Sequence, residues 1–220
     1  VVPKENAATI NYLVNNSTVR SSELSDADMK AMKAWVKEMS KNPMFTFKGA
    51  DVVAYASPEG ELSLNTNLAD NRAASGANAA SSILRSNRVK TEGEFFNKMG
   101  KGEDWDGFKA AMQATDIEDK DMILRVLEMY PDKSKRESEI RNMAATFEVL
   151  QEKILPSLRR SEITLKGELK AYSDEQIKEF SKSAPDTLSA EELLYAATMT
   201  EDLDEKMRIY STFSNLHACL

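Results

Sequence analysis

The feature that most narrows what this chain can fold into is a short run and its abrupt stop. Residues 50–56 (Ala-Asp-Val-Val-Ala-Tyr-Ala) are largely apolar and β-branched, and Ser57-Pro58-Glu59-Gly60 follows at once. Such a run reads as a buried strand. Proline cannot continue a ladder and glycine permits a turn, so the strand must end there. Asn65 is placed to cap a helix. That helix runs to about Arg85, with Leu68, Ala73, Gly76, Ala80 and Ile83 along its buried arc. Small residues on the arc let a helix lie close on a sheet, so residues 50–85 form a strand–loop–helix unit.

The flanking segments extend this unit. Residues 9–14 alternate well enough for a short strand, and Asn15-Asn16-Ser17 breaks it. Ser25 and Asp26 precede a helix to about Ser40, on which Met29, Met32, Trp35, Val36 and Met39 fall at helical spacing. The plain reading of that stripe is core packing. Residues 89–96 alternate weakly and are expected as another strand. Gly100-Lys101-Gly102-Glu103-Asp104 lacks the spacing of a phosphate loop and reads as a turn with the cap of the next helix.

A helical block follows. Trp105, Phe108 and Met112 mark its first helix. Met122, Leu124, Val126, Leu127 and Met129 mark a second, stopped by Pro131. Ile140 with Met143, and Phe147 with Leu150 and Ile154, mark two more before Pro156. Its methionines could serve a partner surface, but core packing accounts for them. Residues 159–165 (Arg-Arg-Ser-Glu-Ile-Thr-Leu) alternate again, as a strand with one wet face does. Beyond Lys170 the pattern is helical to the end. Ser173-Asp174-Glu175-Gln176 and Ser189-Ala190-Glu191-Glu192 look like capped helix starts. Leu193, Leu194 and Ala197 face Met207, Tyr210 and Phe213 in a helix pair, and the acidic run 201–205 reads as a solvated helix start.

Composition excludes several functions. The 220 residues suit one domain with an annex, or two small domains. Twenty-nine basic against 36 acidic residues give a net charge of −7 with no basic cluster, which disfavours nucleic acid as a partner. Apolar stretches reach only about five residues, against about 20 for a membrane-spanning helix, so no span is expected. The single cysteine, Cys219, excludes an intramolecular disulfide and a cysteine zinc site, and the single histidine, His217, excludes a histidine-rich metal site. We therefore expect no metal, no cofactor and no enzyme. The chain opens on Val1 rather than Met, as a processed or cut piece does. Low cysteine suits the cytosol and equally a periplasm.

The segment Val53-Ala54-Tyr55-Ala56-Ser57-Pro58-Glu59-Gly60, followed by Asn65, Leu68 and the pair Arg72-Ala73, resembles the OmpA-like peptidoglycan-binding domain. Spacing is kept without a gap, although Ala69 replaces the usual serine. Arg159-Arg160-Ser161-Glu162-Ile163 is similar to that family's last strand. The phrases Ala56-Ser57-Pro58-Glu59-Gly60 and Leu155-Pro156-Ser157-Leu158-Arg159-Arg160 resemble the version found in Bacteroides-type bacteria, in which a helical insertion and tetratricopeptide-like helices are common. The resemblance covers about residues 8–97 and 156–168.

It implies an α/β fold (an α+β sandwich): a βαβα mixed sheet over residues 1–170, with a helical insertion at about 98–155 before the last strand. A tetratricopeptide-like helical pair follows over 171–220. It implies non-covalent binding of the diaminopimelate-containing peptide of peptidoglycan, anchoring the outer membrane or an envelope complex to the cell wall, in the periplasm of a Gram-negative bacterium. Arg72 would hold the diaminopimelate carboxylate, with Asn65 and the loop Ser57, Glu59 and Gly60 shaping the pocket. The family's aspartate, which holds the ligand's ammonium group, is Ser57 here. A hydroxyl gives no ion pair, at a cost of about 1–3 kcal/mol, and Glu59 supplies a carboxylate if the loop bends. The residues alone also admit a plain solvated loop for Glu59 and Glu61, and a locally paired Arg72. The alternative function is an envelope scaffold that has lost muropeptide binding and acts through protein contacts of its helical regions.

Overall fold

The computed structural model describes residues 1–217. Residues 2–169 form one compact unit and the chain from Lys170 onward falls in a second.

The first unit is mixed α/β, built on an open four-stranded mixed sheet. Its strands are β1 (Val2–Asn11), β2 (Phe45–Ala56), β3 (Phe96–Glu103) and β4 (Arg160–Leu169), in the order β1-β4-β2-β3. β4 runs antiparallel to both β1 and β2, while β3 is parallel to β2. Helices α1 (Ala27–Met39) and α2 (Leu62–Ser86) pack on the face that carries Ile10, Val52, Ile163 and Leu165. Met29, Met32 and Val36 of α1 are fully buried there, as their spacing predicts. The other face of the sheet is wet: Asp51 pairs with Lys166 across strands, and Arg160 pairs with Glu162 at 2.7 Å and lies over the Tyr55 ring.

Two strand boundaries differ from the sequence reading, for different reasons. β1 begins at Val2 and ends at Asn11, not 9–14, because all ten of its residues pair with β4, Val2 with Leu169 through Asn11 with Arg160. Alternation does not report a partner that distant. β3 occupies 96–103 rather than 89–96, so the segment read as a turn at Gly100–Gly102 is strand. Its glycine is there for proximity. A Cβ at Gly100 would come within 2.2 Å of Asp70 Oδ1 and 2.6 Å of the Asp70 backbone nitrogen, because α2 crosses directly over β3.

Between β3 and β4 lie α3 (Trp105–Ala114), α4 (Lys120–Met129), α5 (Lys133–Asn142), α6 (Ala144–Lys153) and α7 (Leu155–Leu158). The helical block thus starts at 105, not about 98. Asp104 caps α3, accepting from Gly107 N at 2.8 Å. The block has its own apolar cluster, which includes Trp105, Phe108, Leu127 and Leu150, with Leu124 and Phe147 partly buried against it. On α4 the stripe is Ile123 and Leu127; Met122 and Met129 are 53% and 68% exposed. The apolar residues of that helix outnumber the positions facing the cluster, so composition alone does not say which ones go in.

The second unit contains α8 (Asp174–Ser183), α9 (Ala190–Thr198) and α10 (Leu203–His217). Both expected helix caps are made, each as a capping box, Ser173 with Gln176 and Ser189 with Glu192. The stripe of α10 is Ile209 with Phe213, while Met207 and Tyr210 are exposed, as is Leu194 on α9. His217 closes α10, and Cys219 lies outside the described residues.

Candidate functional site

β2 delivers its carboxyl end at Ala56, and the chain must then turn into α2. Gly60 makes the turn with φ of 95°, a conformation that penalises any side chain. α2 starts at Leu62, with Glu61 at the cap position. Asn65 is therefore not a cap. It sits on the first helical turns, buried, and its amide Nδ2 donates to the Glu59 carbonyl at 3.1 Å and to Glu103 Oε1 at 3.0 Å. The helix begins one turn early because Leu62-Ser63-Leu64 can be helical, and Asn65 has better partners inside.

The loop is organised around Glu59. Ser57 Oγ donates to Glu59 Oε1 at 2.6 Å. Arg159, just before β4, donates from Nε to the same Glu59 oxygen at 3.0 Å and to Ser57 Oγ at 3.3 Å. The loop thus bends so that Glu59, and not residue 57, presents the carboxylate. Glu103, at the end of β3, accepts from Asn65 on one oxygen and from Trp105 Nε1 at 2.8 Å on the other. From the inserted block, Glu137 of α5 places Oε1 2.7 Å from Gly60 N, which donates to it, and Arg141 pairs with the same carboxylate. An open depression lined by Gly60, Leu62, Ser63, Ser134, Glu137 and Arg141 adjoins the loop.

Arg72 stands apart. It has no exposed surface, and its partners are main-chain carbonyls: Nε donates to Asn16 at 3.0 Å, Nη1 to Tyr55 at 2.9 Å and Nη2 to Leu13 at 3.1 Å. Its guanidinium lies 5.2 Å from the centre of the Tyr12 ring. Burial, and then the charge of Arg159, pull its pKa down to about 10, so it remains a cation at neutral pH. Burial likewise raises the Tyr12 phenol, whose hydroxyl meets Ser75, Ser161 and the Arg72 carbonyl. Neither Asp70 nor Glu59 is hydrogen-bonded to Arg72, so the local pairing that the sequence admits is not made.

Four of the residues singled out from sequence, Ser57, Glu59, Gly60 and Asn65, therefore meet at one place, and Arg72 serves the neighbouring connection between β1 and α1. Sequence reasoning did not assign Arg159, Glu103 or Glu137 to the site. Arg159 was within reach as the first of two arginines before an alternating strand. Glu137 was not, because α5 is polar apart from Ile140 and one apolar residue does not fix which of its side chains face the loop. No group of three or more His, Cys, Asp or Glu side chains placed to hold a metal ion occurs among the described residues, nor any helix long and apolar enough to cross a membrane. No family model matches the chain, and no curated protein matches it.

Proposed function

We propose that the chain is a non-catalytic envelope module of the OmpA-like kind that binds the diaminopimelate-containing peptide of peptidoglycan in a Gram-negative periplasm. The observation that carries this reading is the meeting of Ser57, Glu59, Gly60 and Asn65 at the end of β2, with a carboxylate and a guanidinium side by side. Ligands of open α/β sheets gather at the carboxyl ends of strands, and a zwitterionic amino-acid group needs one charge of each sign. Glu59 supplies the carboxylate that Ser57 does not. The finer fold belongs to the same proposal: β4 lies between β1 and β2, and α3–α7 fall between β3 and β4, as an OmpA-like sheet with a block inserted before its last strand would have them.

The test is co-sedimentation of the purified chain with diaminopimelate-type sacculi, with lysine-type sacculi as the control. Pelleting with the first and not the second is expected.

A second reading, an envelope scaffold that has lost muropeptide binding, is favoured by two specific observations. Arg72 is spent on carbonyls, and the Gly60 amide is spent on Glu137. That reading expects no pelleting with either wall and capture of protein partners through the helical regions.

A further inference from the structure

We propose that Arg159, paired with Glu59, is the cation that reads the ligand, and that Arg72 is a structural anchor. This deepens the peptidoglycan reading above and rests on it. The free end of a diaminopimelate side chain carries an ammonium and a carboxylate on one carbon. Glu59 and Arg159, 3.0 Å apart and each with a side chain only 10% exposed, are a pair of protein charges that can meet such a group side by side.

What distinguishes this pair is what it leaves unspent. Arg159 uses only Nε, and its terminal nitrogens make no hydrogen bond among the described residues. Glu59 uses Oε1 for both Ser57 and Arg159, and Oε2 makes no hydrogen bond among the described residues. Among the described residues the side-chain atoms both sealed from solvent and unpartnered are Asn6 Oδ1 and Arg20 Nε, so the free ends of Glu59 and Arg159 are not sealed. A buried ion pair with unmet atoms is poorly compensated for its desolvation. A ligand carboxylate on the guanidinium fork and a ligand ammonium on Oε2 would meet both needs at once. An open depression begins at Gly60, the residue after Glu59. Arg72 offers none of this, since all three of its nitrogens are bonded and none of its surface is exposed.

Titration calorimetry with three soluble stem peptides tests the assignment. One ends in diaminopimelate, one in diaminopimelate amidated at its free carboxyl, and one in lysine, which keeps the ammonium but lacks the carboxylate. The wild-type chain should bind the first roughly tenfold to a hundredfold more tightly than the other two, the range for losing one hydrogen-bonded charge. Arg159→Gln should remove that preference, and Arg159→Lys, which keeps the charge but loses the fork, should reduce it. Arg72→Lys, in the folded fraction, should leave the preference unchanged. If the wild type binds diaminopimelate peptide and a folded Arg159→Gln keeps the preference, the assignment fails and the peptidoglycan reading stands. Should Arg159→Gln not fold, equal wild-type affinity for the diaminopimelate and lysine peptides overturns it. No binding of any peptide by the folded wild type overturns both.

Discussion

Arg72 has no contact with solvent, and its guanidinium hydrogen bonds go to three carbonyls rather than to a carboxylate. Those carbonyls belong to Leu13 and Asn16, just beyond β1, and to Tyr55 near the end of β2, so one side chain ties a loop to the sheet. Truncation would remove three part-buried hydrogen bonds from a charged donor, at about 1.5–3 kcal/mol each. Arg72→Ala should therefore lower stability by at least about 3 kcal/mol in urea unfolding, and Arg72→Lys by less. A loss under about 1 kcal/mol for the alanine variant would refute the anchoring role. The linkage sign is also fixed. A base whose pKa folding pulls down to about 10 is disfavoured by folding while charged. That cost is constant below about pH 9 and is relieved only as pH rises through 10. Tyr12, with its pKa raised, acts in the opposite direction there, so between pH 6 and 9 neither residue should tilt the unfolding free energy. At this scale the sequence reveals residue types and register but not partners. Arg72 sits in its motif position, while the carbonyls that hold it come from residues whose sequence shows no sign of it.

The helix over the sheet is an element-scale matter, because α2 lies closer than ordinary side chains permit. Two glycines make room in different ways. A Cβ at Gly76 would meet Ser161 Cβ at 3.0 Å and Val52 Cγ1 at 3.1 Å, contacts that side chains relieve by small shifts. At Gly100 the obstacle includes backbone, Asp70 N at 2.6 Å and Ala69 C at 2.9 Å. Alanine in a helix interior gains up to about 1 kcal/mol over glycine, so Gly76→Ala should fall within about 1 kcal/mol of wild type. Gly100→Ala should cost about 1–3 kcal/mol, as overpacking does, since the helix itself must retreat. Equal effects of the two substitutions in thermal unfolding would contradict the close crossing of α2 over β3. The small-residue arc of α2 was legible in the sequence because its period is helical. The role of Gly100 was not, because a glycine that admits a neighbouring backbone looks the same in sequence as one that makes a turn.

For the molecule as a whole, residues 2–169 hold two apolar clusters with no member in common. The sheet cluster draws on β1, β2, β4, α1, α2 and the residues leading into β3, whereas the other lies wholly within 105–158. The ends of the inserted block are close, since Asp104 and Arg160 form an ion pair at 2.6 Å. Replacing 105–158 by a short flexible linker should therefore leave a folded sheet domain with a single cooperative unfolding transition. A molten product, with lost near-ultraviolet dichroism, would mean that the block completes the core. That the block is helical was evident from the spacing of its apolar residues. Its reach into the site through Glu137 was not, because a contact between residues 60 and 137 leaves no mark on either segment.

The central claim is that the end of β2 binds a cell-wall peptide, and amide chemical-shift mapping with a diaminopimelate stem peptide tests it most directly. Saturable shifts should concentrate at residues 57–65 and around Arg159. Shifts confined to residues elsewhere, or none at millimolar peptide, would contradict the claim.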